Sequence, residues 1–258
     1  MPTIQVPGGT LNYEDTAEAG LPPLVLSNSL GTNLSLWDPQ LPALRERFRV
    51  VRYDSRGHGG SSTPEGPYSM TDLAGDVVAL LDALGIDKAH FVGISVGGLT
   101  GQYLAVEHPE RVDRLVVANT APRIGRPEAW HERAQTVADS GLGAIAEGVV
   151  AKWLTPGFAA RHPEALRELT EMFLGTDDAG YAATCHALAA GDVRDRIAGI
   201  TAPTLAIGAS GDLPTPPTAT RSIAEAVPGA RYVELDAAHI SNREAVEEFT
   251  AAVLDFCS

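Results

Sequence analysis

Five short runs, PLVLSN, FRVVRYD, AHFVGIS, RLVVANT and PTLAIGAS, fill with Val, Ile, Leu and Ala without alternating with polar residues. Successive side chains of a strand point to opposite faces, so a strand with one wet face must alternate and one that does not is buried on both sides. Between and after these runs lie stretches whose apolar residues recur at helical spacing, among them SMTDLAGDVVALLDALG, VGGLTGQYLAVEH, PTATRSIAEAV and NREAVEEFTAAVLDF. This combination predicts an α/β fold, a mostly parallel central sheet with helices on both faces. TIQV, PGG and TLNY, ahead of the first run, read as a hairpin with a glycine turn, and RYVELDA reads as the last strand.

The rhythm breaks once. From about residue 122 to 197 there is no convincing strand, only helical patterns such as EAWHERAQTVADSG and HPEALRELTEMFLG, separated by the breaks SGLGA, TPGF and TDDAG. Residues 1–121 and 198–258 are therefore expected to form the core, and 122–197 a helical insertion. Ligands of open α/β sheets bind at the carboxyl ends of the strands. An insertion over that edge is placed to act as a lid.

Charge and cysteine content narrow the function. The net charge of −14 opposes binding to nucleic acid or anionic lipid, which requires a basic surface. It also means that an acidic substrate must be captured by local cations. No run approaches the ~18 apolar residues of a membrane span, and MPTIQVPGGT lacks the layout of a secretion signal, so a cytoplasmic location is expected. Cys185 and Cys257 form no C-x-x-C and have no histidine cluster beside them, which predicts packing roles, no disulfide framework and no metal site.

The segment FVGISVGGL places Gly93-Ile94-Ser95-Val96-Gly97 between an apolar strand and a helical stretch. G-x-S-x-G in that context is a nucleophile elbow, a turn so tight that its flanking positions must be nearly free of side chain. A serine hydroxyl needs a base, and the base needs an orienting acid. In elbow folds these follow in the order Ser, acid, His. Among the seven histidines, His239 in ELDAAHISN lies just after the last strand, whereas His58 and His90 precede the serine and His108, His131, His162 and His186 fall on helical or inserted segments. For the acid, Asp212 ends LAIGASGD; Asn119, at the end of the preceding strand, cannot carry the charge, and Asp236 is too near its own strand end to reach the ring. The expected catalytic set is Ser95, Asp212 and His239, with no cofactor. The backbone N–H groups of Val96 and Leu30 are the expected oxyanion donors.

LSNSLGTNLSLWDPQ, RYDSRGHGGSS, GISVGGLTGQYLA, NTAPRIGRPEAW and ELDAAHISN together resemble the α/β-hydrolases and, within them, the 3-oxoadipate enol-lactonases of bacterial β-ketoadipate pathways. The elbow and RGHGGSS are shared widely; SNSLGT, NTAPRIG and HISN are more specific. The resemblance implies the α/β-hydrolase fold and a small anionic lactone as substrate. It also implies that Arg123 meets the carboxylate arm, that Trp130 and Trp153 close over the ring, and that Arg56 ties down a turn. Val96 stands where Met is common, and nothing in the sequence excludes a homo-oligomer. Two rival readings share the triad: a general carboxylesterase or cofactor-free perhydrolase, and a small-molecule receptor with slow turnover. Dehalogenase and epoxide-hydrolase chemistry is disfavoured, since those relatives carry Asp where Ser95 stands.

Overall fold

The computed structural model describes residues 2–18 and 20–258. Among them, eight strands form one sheet: β1 (Thr3–Val6), β2 (Gly9–Asp15), β3 (Pro23–Ser27), β4 (Arg49–Tyr53), β5 (Ala89–Ile94), β6 (Val112–Ala118), β7 (Thr204–Ala209) and β8 (Arg231–Leu235). Their spatial order is β1-β2-β4-β3-β5-β6-β7-β8. The hairpin β1–β2 and the β2–β4 pair are antiparallel, and all pairs from β4–β3 to β7–β8 are parallel. The non-alternating runs occupy the middle of the sheet, where every residue of β5 and of β7 is buried. The chain thus has the α/β-hydrolase fold expected of it.

Parallel strands end on the same side, so the loops after β3, β5, β6, β7 and β8 converge there. Those loops carry Leu30, Ser95, Asn119, Asp212 and His239. Gly93 near the end of β5 pairs with Ser27 of β3 on one side and Val117 of β6 on the other, which fixes the elbow between its neighbours.

Between β6 and β7 the chain is helical, with helices at Pro127–Ser140, Ala146–Val150, Pro156–Arg161, Pro163–Leu174 and Asp178–Ala190. Two of the breaks in the sequence are helix starts: Thr155 accepts the Phe158 N–H, and Asp177 accepts the Gly180 N–H, as N-cap side chains do. This segment is tied to the loop that carries His239. Trp153 C=O accepts the Ile240 N–H (2.9 Å), and Glu244 accepts from the N–H groups of Thr155 and Ala238 (3.0 Å each) and from the Thr155 hydroxyl.

Arg56 and Asp76 form a bidentate pair (2.6 and 2.7 Å) in which both partners are buried, with the Arg56 guanidinium also over the Tyr68 ring. Burial raises the Asp76 carboxyl and outweighs the pull of Arg56. Breaking one side of such a pair leaves an uncompensated charge, at a cost of about 3–5 kcal/mol. Asp76→Ala is therefore expected to lower unfolding free energy by about that amount in a urea titration; a loss below about 1 kcal/mol would show that Arg56 finds water instead. Cys185 and Cys257 are buried and unpaired with each other, and burial pushes each thiol up to about 12. No helix among the described residues is long and apolar enough to cross a membrane.

Candidate active site

Ser95 sits between β5 and the helix Val96–Glu107 at φ 58°, ψ −120°, a conformation that side-chain-bearing residues rarely adopt. The turn closes so tightly that a Cβ on Gly93 would lie 2.2 Å from the Gly97 carbonyl oxygen, and one on Gly97 would lie 2.4 Å from that of Ser27. Only glycine fits either place. The strained residue is held by its own backbone: Ser95 N–H donates to Ala118 C=O (2.9 Å), and Ser95 C=O accepts from Thr120 Oγ1 (2.7 Å).

His239 Nε2 lies 3.0 Å from Ser95 Oγ, while His239 Nδ1 lies 3.0 and 3.1 Å from the two oxygens of Asp212. All three residues are buried. Since an ionised carboxylate only accepts, Nδ1 carries the proton and Nε2 presents its lone pair to the serine hydroxyl. Asp212 also accepts from the Thr215 N–H (2.9 Å), the Thr215 hydroxyl (2.8 Å) and Asn119 Nδ2 (2.9 Å). Burial opposes its charge, but the facing imidazole and these donors outweigh it and hold the carboxyl below its ordinary range. Asn119, which cannot be the acid, orients it. Its Nδ2 reaches the Ala238 carbonyl as well (3.2 Å), and its Oδ1 accepts from Ser241 (2.6 Å). Asp236 instead bonds Ser210 at the surface.

Leu30 and Ser95 line the same cavity. Val96 is the first residue of its helix, so its N–H has no intrahelical acceptor and lies at the positive end of the helix dipole. The loop bearing Leu30 is fastened by Asn28, whose side chain donates to Tyr53 C=O (2.7 Å) and accepts from Trp37 Nε1 (2.8 Å), and whose carbonyl accepts the Gly97 N–H (3.1 Å).

The cavity above Ser95 and His239 measures about 220 Å³, smaller than the ~300–1,000 Å³ of drug-sized sites. Trp130 and Trp153 both line it. Trp153 is buried edge-on against Phe173, which meets Tyr181 in the same way; Tyr181 and Leu213 also reach the cavity, and none of these three was singled out from the sequence. Arg123 lies apart from these residues. It is not among the residues lining the cavity, and its guanidinium lies 3.6 Å from Asp192. Three other cations do line it, Arg126, Arg133 and Lys152, with no Asp or Glu among the described lining residues. Arg133 is half-buried, stacks over Trp130 (4.7 Å to the ring centroid) and faces Tyr181, whose phenol burial pushes above its ordinary range. None of the three cations has a carboxylate partner among the described residues.

A family model for the alpha/beta hydrolase fold matches residues 22–152. The 3-oxoadipate enol-lactonase 2 of Acinetobacter baylyi is 43% identical over 97% of this chain and 94% of its own. The crystal structure of the enol-lactonase from Burkholderia xenovorans LB400 superposes with a TM-score of 0.98 at 46% identity, covering 99% of both chains. A thermophilic esterase from Thermogutta terrifontis, solved with malate bound, gives 0.92 at 29% identity over 99% of this chain and 96% of its own. On these likenesses and on the elbow that the structure holds in place, the chain is a hydrolase and belongs to the α/β-hydrolase family.

Proposed function

We propose that this enzyme opens the lactone ring of 3-oxoadipate enol-lactone, through an acyl-enzyme on Ser95. The observation that carries this reading is the cavity itself: a serine with its base at 3.0 Å, under a small apolar slot whose only formal charges, among the described lining residues, are three cations. In a protein of net charge −14, such a concentration of unpaired positive charge selects an anion. The likeness to enol-lactonases over nearly the whole chain supports the same substrate.

The reaction runs in two halves, acylation and deacylation of Ser95. Ser95 Oγ attacks the lactone carbonyl carbon as its proton passes to His239 Nε2, and Asp212 stabilises the imidazolium through Nδ1–H. The tetrahedral oxyanion receives the N–H groups of Leu30 and Val96. Collapse breaks the bond from carbonyl carbon to ring oxygen. The enolate oxygen takes the proton back from Nε2, and the enol tautomerises to the ketone. Water, deprotonated by the same nitrogen, then attacks the acyl-enzyme, and 3-oxoadipate leaves with Ser95 restored. The helical segment 122–197 acts as a lid, its Trp130 and Trp153 covering the ring.

Arg133 replaces Arg123 as the cation that meets the carboxylate arm, with Lys152 beside it. Losing a charge-assisted pair to a buried carboxylate costs about 2–5 kcal/mol. Arg133 is half-buried and two cations remain, so Arg133→Leu is expected to lower kcat/KM for the lactone by at least about ten-fold. Hydrolysis of p-nitrophenyl acetate, which has no carboxylate, stays within about three-fold, and Arg123→Leu leaves both within about three-fold. Equal losses on both substrates in Arg133→Leu would make its role structural. A wild-type preference for neutral esters over the lactone would favour the general esterase reading, for which the Thermogutta relative stands.

A further inference from the structure

The steps above leave the buried histidine of the Arg56-Gly-His-Gly segment unused. His58 is 2% exposed, its Nδ1 lies 3.0 Å from the Arg56 carbonyl, and its Nε2 lies 3.0 Å from the backbone nitrogen of Gly31. A carbonyl can only accept and an amide N–H can only donate, so Nδ1 carries the proton and Nε2 must be bare. The charged groups facing the ring are Asp54 and Asp177. Burial outweighs their pull and lowers the ring below its ordinary value, in keeping with a neutral imidazole.

The bond from Gly31 is adjacent to the oxyanion donor. On one side of Leu30, the Leu30–Gly31 peptide is held by His58. On the other, the Ser29–Leu30 peptide is held by its carbonyl, which accepts from both the N–H (3.2 Å) and the hydroxyl (2.7 Å) of Thr32. In a trans peptide, C=O and N–H point oppositely, so fixing the Ser29 carbonyl fixes the direction of the Leu30 N–H. Gly31 itself is at φ +75°, with Phe173 so near that a Cβ would meet its ring at 2.6 Å. The loop is therefore clamped between Phe173 and His58. Of these, only His58 meets Gly31 through a hydrogen bond, which a substitution can remove while leaving the packing of Phe173 in place.

We propose that His58 is a positioning residue for the oxyanion hole: it holds the Leu30–Gly31 peptide so that the Leu30 N–H meets the developing oxyanion. This rests on the reading of Leu30 as an oxyanion donor. The role concerns the transition state, so it acts on kcat and leaves substrate affinity alone. Removing an oxyanion donor outright costs about 10²–10³ in kcat, and misplacing one costs less.

The test uses p-nitrophenyl acetate and its thiono analogue, whose sulfur is a poor acceptor for the oxyanion donors. Wild type is expected to turn over the thiono ester far more slowly. H58L should lose about ten- to a hundred-fold in kcat on the oxygen ester, with KM within about two-fold, and should discriminate less between the two esters. H58Q, whose Oε1 can reach the former place of Nε2 and accept from Gly31, should recover most of the loss. H58N, whose shorter side chain puts no acceptor there, should not; that contrast also decides the matter if H58L does not fold. Full kcat in H58L, or a loss with discrimination intact and H58Q no better than H58N, would overturn the positioning role. Absence of discrimination in wild type would instead remove the oxyanion reading of Leu30, and this proposal with it.

Discussion

Ser95→Ala is expected to abolish turnover of the enol-lactone, by at least about 10⁴-fold in kcat, and to abolish labelling by a fluorophosphonate. Removal of a triad serine leaves only the rate enhancement of the oxyanion hole and of binding, with a loss of up to about 10⁶. The hydroxyl is the only group at this turn that His239 Nε2 meets, at 3.0 Å. Alanine tolerates the φ of 58° no better than serine does, so the elbow keeps its backbone strain and its supports from Ala118 and Thr120, and the fold is expected to be unchanged by circular dichroism. Mass spectrometry of the labelled protein provides the check. A covalent adduct that survives in Ser95→Ala would mean that another nucleophile does the chemistry.

Asp212→Asn is expected to lower kcat by about 10⁴, through the tautomer of His239. The carboxylate accepts from His239, from both donors of Thr215 and from Asn119. An amide at the same place has a single oxygen, and turning its NH₂ toward Nδ1 moves the ring proton to Nε2, where it can no longer accept from Ser95. The same variant has a signature in stability. The folded-state value of Asp212 is depressed, so as pH falls the unfolded chain takes up the proton first, near ~3.9. The stabilisation that ionised Asp212 provides is therefore present above pH ~4 and is lost below it, as pH passes through the folded-state value. Urea titrations should show wild type more stable than Asp212→Asn from neutral pH down to about 4, with the gap closing below. A gap that stays unchanged as pH falls well below ~4 would place the ionisation elsewhere, and near-full activity in Asp212→Asn would require another acid.

What the sequence disclosed and what it hid follow from how far apart the interacting residues lie. β5 and β7 were legible because burial on both faces leaves a continuous apolar run, a property of each strand alone. Ser95, Asp212 and His239 were legible as candidates because parallel strands deliver the ends of β5, β7 and β8 to one edge, so position within the topology stands in for distance. That Arg123 stands beside Asp192 and not among the cavity-lining residues was hidden, because Asp192 lies at the far end of the helical segment and no local pattern announces that pair. Phe173 and Tyr181 went unnoticed for a related reason: they lie on separate helices, each with an ordinary apolar face, and their meeting over Gly31 is a fact of packing. Thr155 and Asp177 were read as breaks, although a Thr or Asp before a helical pattern is also a start signal. Asn119 was read for the charge it lacks, whereas its amide contributes donors.

The joint that Ile240 and Glu244 make with Trp153 and Thr155 bears on how such enzymes can be recombined. Glu244 lies in the core sequence, while two of its three donors belong to Thr155 in the insertion and the third to Ala238, next to the histidine. Exchanging residues 122–197 for the corresponding segment of a relative would cut through this knot at a place that a domain boundary drawn on the sequence treats as free. The smallest transplantable unit is thus discontinuous: it comprises the insertion and the stretch from Ala238 to Glu244, and chimeras that move one without the other should inherit a misaligned base along with their new specificity.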